Sequence, residues 1–367
     1  MRPARPLFVT GDPALLDELL RLCAAAGCEP DVAPDPATAR RHWASASCVV
    51  VSSDLAAGCV RASLARRGGV VLVGADPDDS AGTDGAGGAG SGLWQRAVEL
   101  GAEHVIFLPD AQAWLVDRLA EATEAPGRPG PVLGVMGGRG GAGATTLATA
   151  LAVTAQRTGR RAVLVDADPL GGGLDLVLGL EGRSGLRWPE LAASRGRVSA
   201  AALAAALPDR DGLAVLSHDR DEPVAVPAAA MSALLDAATR VADLVVVDLP
   251  RALDEAARTV LERARTALVV VPAELRACAA AGRVAALAAE HSGDLRGVVR
   301  LPAPGGLSPR QVAEAVGVPL AGVLRAEPGL PAALERGEAP GGRARGPLAR
   351  LCTRLLPDLA PARGAAA

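Results

Sequence analysis

Apolar runs of four or five residues alternate with longer stretches whose apolar positions recur at helical spacing. In the first third the runs are LFVT (7–10), CVVVS (48–52), VVLVG (70–74) and HVIFL (104–108), with a weaker one at 29–33. Helical patterns cover 13–27, 36–45, 93–102 and 110–123; in the first, Leu15, Leu16, Leu19, Leu20 and Cys23 mark one face. This alternation predicts a parallel sheet covered on both faces. The Gly-rich segment 76–92 reads as a long loop, and EAPGRPGP (124–131), with its prolines and glycines, as a linker. The pattern then restarts. Strands are predicted at 132–137, 161–169, 211–217, 242–250, 266–273 and 295–302, with a helix over 145–159 closed by Gly159. Strands so uniformly apolar suit a sheet buried on both faces. In the segment 346–364, Leu348, Leu351, Cys352, Leu355 and Leu356 share one face, which predicts a closing helix packed on the domain. The expected organisation is an α/β front domain (1–123), a linker (124–131), a second α/β domain (132–357) and a disordered tail (358–367).

Composition narrows the function classes. The 367 residues suffice for two ordinary domains, and half are apolar. A net charge of −3 counts against a general nucleic-acid coat. The six cysteines include no C-x-x-C pair and read as small buried hydrophobes, and the four histidines show no metal spacing. No apolar run approaches the ~18 residues of a membrane span, and the opening MRPARPLFVTGD is too short for a signal peptide. A cytoplasmic protein is expected.

The candidate chemistry begins at GVMGGRGGAGATTLATALA (134–152), a glycine-rich turn between strand and helix. In the phosphate-loop pattern G-x-x-x-x-G-K-[ST], Gly138, Gly143 and Thr145 fit, but Ala144 holds the lysine position. The chain contains no lysine at all. Backbone N–H groups and the helix dipole survive this change, because they do not depend on the side chain at 144. Gly140, Gly141 and Gly143 let phosphate oxygens approach, and the Thr145 hydroxyl can face Mg2+. VLVDADP puts Asp166 and Asp168 at one strand's end, and DLVVVDLP puts Asp248 at another. Neighbouring strand ends of a doubly wound sheet share one crevice, so the three acids are expected beside the loop. Any one of them alone could simply cap a turn; the ordered set argues for a Mg2+–nucleotide site.

GGRGGAGATT, VLVDADPLGGGLDLVLGLE (163–181) and ADLVVVDLP resemble the MinD/ParA family of P-loop ATPases, with its deviant Walker A loop, over about residues 131–357. PGLPAALERGEAP (328–340) is similar to that family's closing segment. The resemblance implies a doubly wound P-loop domain that binds ATP and Mg2+. Loop contacts would run through Gly138, Arg139, Gly140, Gly141, Ala142, Gly143, Ala144, Thr145 and Thr146. The metal would lie near Thr145, Asp166 and Asp248. It further implies catalytic roles for Asp168, which would position the attacking water, and for Arg139. Arg139 stands where the family's signature lysine reaches across an ATP-sandwiched homodimer. Two departures matter. Ala144 removes a charged hydrogen bond worth about 1.5–3 kcal/mol, on the order of 10- to 150-fold in affinity. Where charge develops during transfer, losing one such donor typically slows the rate by about 100- to 1,000-fold. Arg300 replaces an Asn near the nucleotide base, which leaves adenine specificity open.

VELGAEHVIFLPDAQAWL (98–115) resembles the end of a response-regulator receiver, with Leu108 at its lysine position. The acidic pair reads Thr10-Gly11-Asp12, and Ser52 falls at the phosphoacceptor position with Asp54 two residues on. A flavodoxin-like pseudo-receiver for docking or dimerisation is therefore expected. A degenerate receiver fused to this P-loop domain resembles the CpaE-like proteins, and among them the actinobacterial septum-site-determining branch. That implies partners in cell division or in Tad/Flp secretion and pilus machinery, with recruitment to the inner membrane face, septum or pole. The leading expectation is a nucleotide-responsive scaffold with weak or no hydrolysis. The rival is a slow but genuine ATPase using Arg139 from a partner subunit. A DNA-partitioning protein with a basic patch at Arg336, Arg343 and Arg345 is a third reading.

Overall fold

Valine and leucine runs, buried along their length, form the first sheet of the protein. In this computed structural model, residues 5–74, 89–123, 129–193, 198–220 and 223–361 are described. The chain divides into two units, Met1–Gly127 and Arg128–Ala367. The first contains β1 (Leu7–Val9), α1 (Pro13–Ala25), β2 (Asp31–Ala33), α2 (Pro36–Trp43), β3 (Val49–Ser52) and α3 (Ser53–Arg61). It continues with β4 (Val70–Gly74), α4 (Ala89–Leu100), β5 (His104–Phe107) and α5 (Gln112–Thr123). The strands are parallel in the order β2-β1-β3-β4-β5. Leu7 and Val9 face one core with Trp43, Ala56 and Cys59, whereas Phe8 faces the other with Leu19, Leu115 and Leu119. Period-two side-chain alternation produces that division.

Helix α3 is absent from the sequence reading, because it starts directly at the end of β3 without turn residues. Helix α4 begins inside the segment expected to be loop; residues 76–88 of that loop and 124–128 of the expected linker lie outside the described residues. The receiver-like acids have local duties. Asp12 caps α1 by accepting from the Ala14 and Leu15 amides, and Asp54 accepts from the Gly11 amide at 3.0 Å and from the Ser52 hydroxyl.

The second unit opens with β6 (Val132–Gly137), α6 (Ala144–Arg157), β7 (Ala162–Asp166), α7 (Leu174–Leu178), α8 (Trp188–Ala193) and α9 (Ala200–Ala206). Next come β8 (Asp209–Arg210), β9 (Leu213–Leu216), α10 (Ala228–Val241), β10 (Leu244–Leu249), α11 (Glu255–Arg263) and β11 (Thr266–Pro272). It ends with α12 (Leu275–Ala289), β12 (Leu295–Arg300), α13 (Pro309–Val316), β13 (Leu320–Leu324), α14 (Leu330–Leu334) and α15 (Pro347–Leu359). The sheet order is β13-β12-β11-β6-β10-β7-β9-β8, parallel except for the β8–β9 hairpin. Leu133 and Val135 face a core with α6 and α15; Val132 and Met136 face one with α10, α11 and α12. Both sheet faces are covered, as the apolar strands required.

Helix α15 buries Leu348, Leu351, Cys352, Leu355 and Leu356 in the core beside α6, so its apolar face is not available to a membrane. It runs through Asp358 and Leu359, where the sequence reading begins a tail; residues 362–367 lie outside the described residues. The six cysteines are free thiols, five of them buried. Among the described residues no helix is long and apolar enough to cross a membrane.

Candidate nucleotide site

The sheet topology decides where the chemistry collects. After β6 the chain passes to β7, returns with β10 between them, and then crosses to β11 on the other side of β6. The carboxyl end of β6 is therefore a topological switch point, where loops on either side diverge and leave a crevice. The glycine-rich loop, residues 138–143, lies there. Gly141 (φ +67°) and Gly143 (φ +98°) adopt left-handed backbone conformations that wind the chain into α6. Among the described residues, the N–H groups of Gly140, Gly141, Gly143, Ala144, Thr145 and Thr146 have no protein acceptor. A Cβ at Gly140 or Gly141 would meet nothing within 4 Å. Unpaired amides at a helix N-terminus facing open space are what a phosphate chain fits.

Two loop residues have other duties. The Gly138 amide donates to the Val270 carbonyl at 2.9 Å, and a Cβ on Gly138 would lie 2.5 Å from the Ala281 Cβ. Gly138 is thus a close-packing position between β11 and α12. Ala142 is buried and its amide donates to the Arg139 carbonyl at 3.3 Å. Both amides are thus engaged within the protein.

The acids converge from the neighbouring strands. Asp248 on β10 stands in register with Val135 of β6 and with Asp166 of β7, so the two carboxylates flank the loop's base side by side. Both are buried. Burial pushes Asp166 up to about 6; amide bonds from Asp168 and Leu174, each 3.2 Å, pull the other way. Burial pushes Asp248 up to about 7, opposed by a hydrogen bond from the Thr145 hydroxyl. Asp168 lies past the end of β7, half-buried, where it accepts from the Leu170 amide at 3.1 Å. Thr145, Asp166 and Asp248 offer hard oxygen donors. Among the described residues no group of three His, Cys, Asp or Glu side chains could hold a metal ion by itself. This donor set fits Mg2+ carried by a polyphosphate, since Mg2+ typically takes one or two carboxylates with phosphates and waters.

Behind Asp166 lies a network without a local sequence signal. The Trp188 indole donates to the Asp166 carbonyl, and Ser217 sits 3.4 Å from both the Asp166 and Asp175 carboxylates. Buried Asp175 pairs with Arg220 at 2.9 Å and with Arg187 at 3.8 Å. Asp175 lies within the GGGLDLVLGLE run, whereas Ser217 and Arg220 lie 42 and 45 residues further along the chain.

Two arginines border the opposite side of the loop. Arg139 Nη2 lies 3.1 Å from each Glu274 carboxylate oxygen, at the N-cap of α12. Arg300, at the end of β12, donates through Nη1 to the Gly141 carbonyl at 3.0 Å. Glu274 is absent from the sequence reading, and the Arg300 contact joins residues 159 positions apart.

Residues 9–130 match the family described as Rv3660c-like, CheY-like N-terminal domain, and residues 131–291 match cellulose biosynthesis protein BcsQ. Protein Rv3660c of Mycobacterium tuberculosis is 40% identical over 328 residues, covering 89% of this chain and 90% of that protein. This chain belongs to the Rv3660c-like family. Solved structures resemble the chain over about three fifths of its length. A ParA family ATPase from Chlorobium tepidum has TM-score 0.54 and 15% identity, covering 62% of this chain and 98% of its own. The septum site-determining protein MinD of Pyrococcus horikoshii, complexed with Mg-ADP, has TM-score 0.51 and 16% identity, covering 62% and 95%. These likenesses establish the fold: a CheY-like domain followed by a ParA/MinD-type P-loop domain.

Proposed function

We propose that the protein is a nucleotide-binding regulator of the MinD/ParA type that binds ATP with Mg2+ and hydrolyses it slowly or not at all. The observation that carries this is the loop itself: six amides unpaired among the described residues and two register-matched carboxylates are in place, while Ala144 occupies the ammonium position. Gly140, Gly141 and the first turn of α6 would hold the phosphates, with Thr145, Asp166 and Asp248 near the metal. Bound Mg2+ would neutralise phosphate charge and lower the two raised carboxyl pKa values. Asp168 would orient a water.

The reading extends to a homodimer whose pseudo-receiver docks a partner of the division machinery, at the inner face of the membrane. Support for the septum comes from the septum-site-determining role of the Pyrococcus protein and from the CpaE-like resemblance of the fused architecture. A DNA-partitioning role is disfavoured by the chain's acidic balance and by Glu338, which pairs with both Arg336 and Arg343.

The test is ATP titration with Mg2+, followed by turnover of the wild-type protein and Arg139→Ala. Saturable binding with negligible turnover in both supports the regulator. Turnover that rises with protein concentration and is lost in Arg139→Ala would support a dimeric ATPase instead, and absence of binding would defeat the nucleotide reading. A fluorescent fusion at the septum supports the division role; one confined to a pole supports the pilus role.

A further inference from the structure

The loop lacks its ammonium, yet two guanidinium groups border it, and their surroundings differ. Arg139 faces Glu274, so its charge is met within the chain. Among the described residues, Arg300 has no carboxylate partner, and the one hydrogen bond of its guanidinium uses Nη1 on the Gly141 carbonyl. A guanidinium carries five N–H donors, so four remain unused. Arg300 Nη1 also lies 3.6 Å from the position a Cβ on Gly143 would occupy, which puts the cation at the turn that leads into α6.

The strand order explains how it gets there. β12 is two strands from β6, with Arg300 in register with Pro272 at the end of β11. From this side it leans over the loop, while Asp248 and Asp166 approach from the β10 and β7 side. Among the described residues, the unpaired amides lie between a row of acids and a guanidinium without a carboxylate partner. A metal–polyphosphate has the matching polarity: cation toward the carboxylates, free phosphate oxygens toward the guanidinium.

We propose that Arg300 serves as the phosphate-binding cation of this loop, within the same subunit, in the role left open by Ala144. This rests on the nucleotide reading above. It gives Arg300 a different task from base recognition, and it takes the compensation away from Arg139. The guanidinium binds the polyphosphate through the donors that Gly141 does not use.

The experiment measures affinity of the full chain for Mg-ATP, Mg-ADP and adenosine by isothermal titration, for wild type, Arg300→Ala, Arg300→Lys and Arg139→Ala. Thermal melting of each nucleotide-free variant runs alongside. The expected result is a loss of about 10- to 150-fold for ATP in Arg300→Ala. The loss should be smaller for ADP and absent for adenosine. Arg300→Lys should recover part of the ATP affinity, and Arg139→Ala should lose less of it than Arg300→Ala. ATP affinity unchanged in Arg300→Ala would overturn the proposal while leaving the nucleotide reading intact. An equal loss for all three ligands, adenosine included, would assign Arg300 to the base and also overturn it. A fall in nucleotide-free melting temperature with no rescue by lysine would make Arg300 a brace of the loop and overturn it as well. If the wild type binds none of the ligands, the nucleotide reading itself fails, and the proposal with it.

Discussion

Replacing Ala144 with lysine tests the site most directly. Ala144 is the first residue of α6, half-buried, with its amide facing the crevice. An ε-ammonium there would add one charge-assisted bond to phosphate, about 1.5–3 kcal/mol, which raises ATP affinity about 10- to 150-fold. The same charge opposes the dipole of α6 in its first turn, costing about 0.3–1 kcal/mol when no nucleotide is bound. Intrinsic helix preference changes by only a few tenths of a kcal/mol. The variant should therefore be slightly less stable when empty and markedly tighter for Mg-ATP. If Asp168 and the metal acids are competent, turnover should rise by about 100- to 1,000-fold from whatever the wild type shows. Calorimetric titration gives the affinity, urea denaturation the empty-state stability, and phosphate release the turnover. Combined with Arg300→Ala, the lysine should gain more than it does alone, because the two cations would serve one phosphate chain. A folded Ala144→Lys protein with unchanged ATP affinity would refute the reasoning: the open amides would then not be a phosphate site.

Three further outcomes follow from the geometry. Asp166 and Asp248, raised to about 6 and 7, favour the native state when protonated, relative to ~3.9 in the unfolded chain. That contribution is complete below about pH 4 and is lost as pH rises through 6 and 7. Urea midpoints of the nucleotide-free protein should accordingly fall between pH 5 and 8, and Asp248→Asn should flatten the slope; midpoints that rise over this range would contradict the assignment. Gly138→Ala drives a methyl to 2.5 Å from the Ala281 Cβ and 3.1 Å from its Cα, so β6 or α12 must shift. The expected cost is about 1–3 kcal/mol by denaturation, and an unchanged midpoint would show the contact to be soft. Trp188→Phe removes the indole donor to the buried Asp166 carbonyl, and should cost about 1–3 kcal/mol in the same assay.

Much of this architecture is legible from one-dimensional pattern. Apolar strands bounded by Gly, Pro and Asp predict both parallel sheets, and most strand limits agree to within two residues. Helix α3 escapes, because no turn chemistry separates it from β3, and β8 escapes because two exposed residues carry no apolar signal. At the site, glycine spacing finds the loop but not the orientation of its amides. Gly138 matches the motif, yet the structure uses it to let α12 approach. Asp166 and Asp248 are found by their strand-end positions, whereas their pKa shifts arise from burial, which only the fold sets.

The sequence alone determined the two-domain α/β plan, the phosphate-loop pattern, its acids and the missing lysine, since each is a local matter of periodicity, spacing or residue type. Only the tertiary structure decided which charges meet. Glu274 neutralises Arg139 while Arg300 reaches Gly141 without a carboxylate partner among the described residues. Those pairings depend on strand order, because β11 and β12 lie to one side of the loop and β10 and β7 to the other. Electrostatic interaction falls off with distance through space, and separation along the chain does not encode that distance.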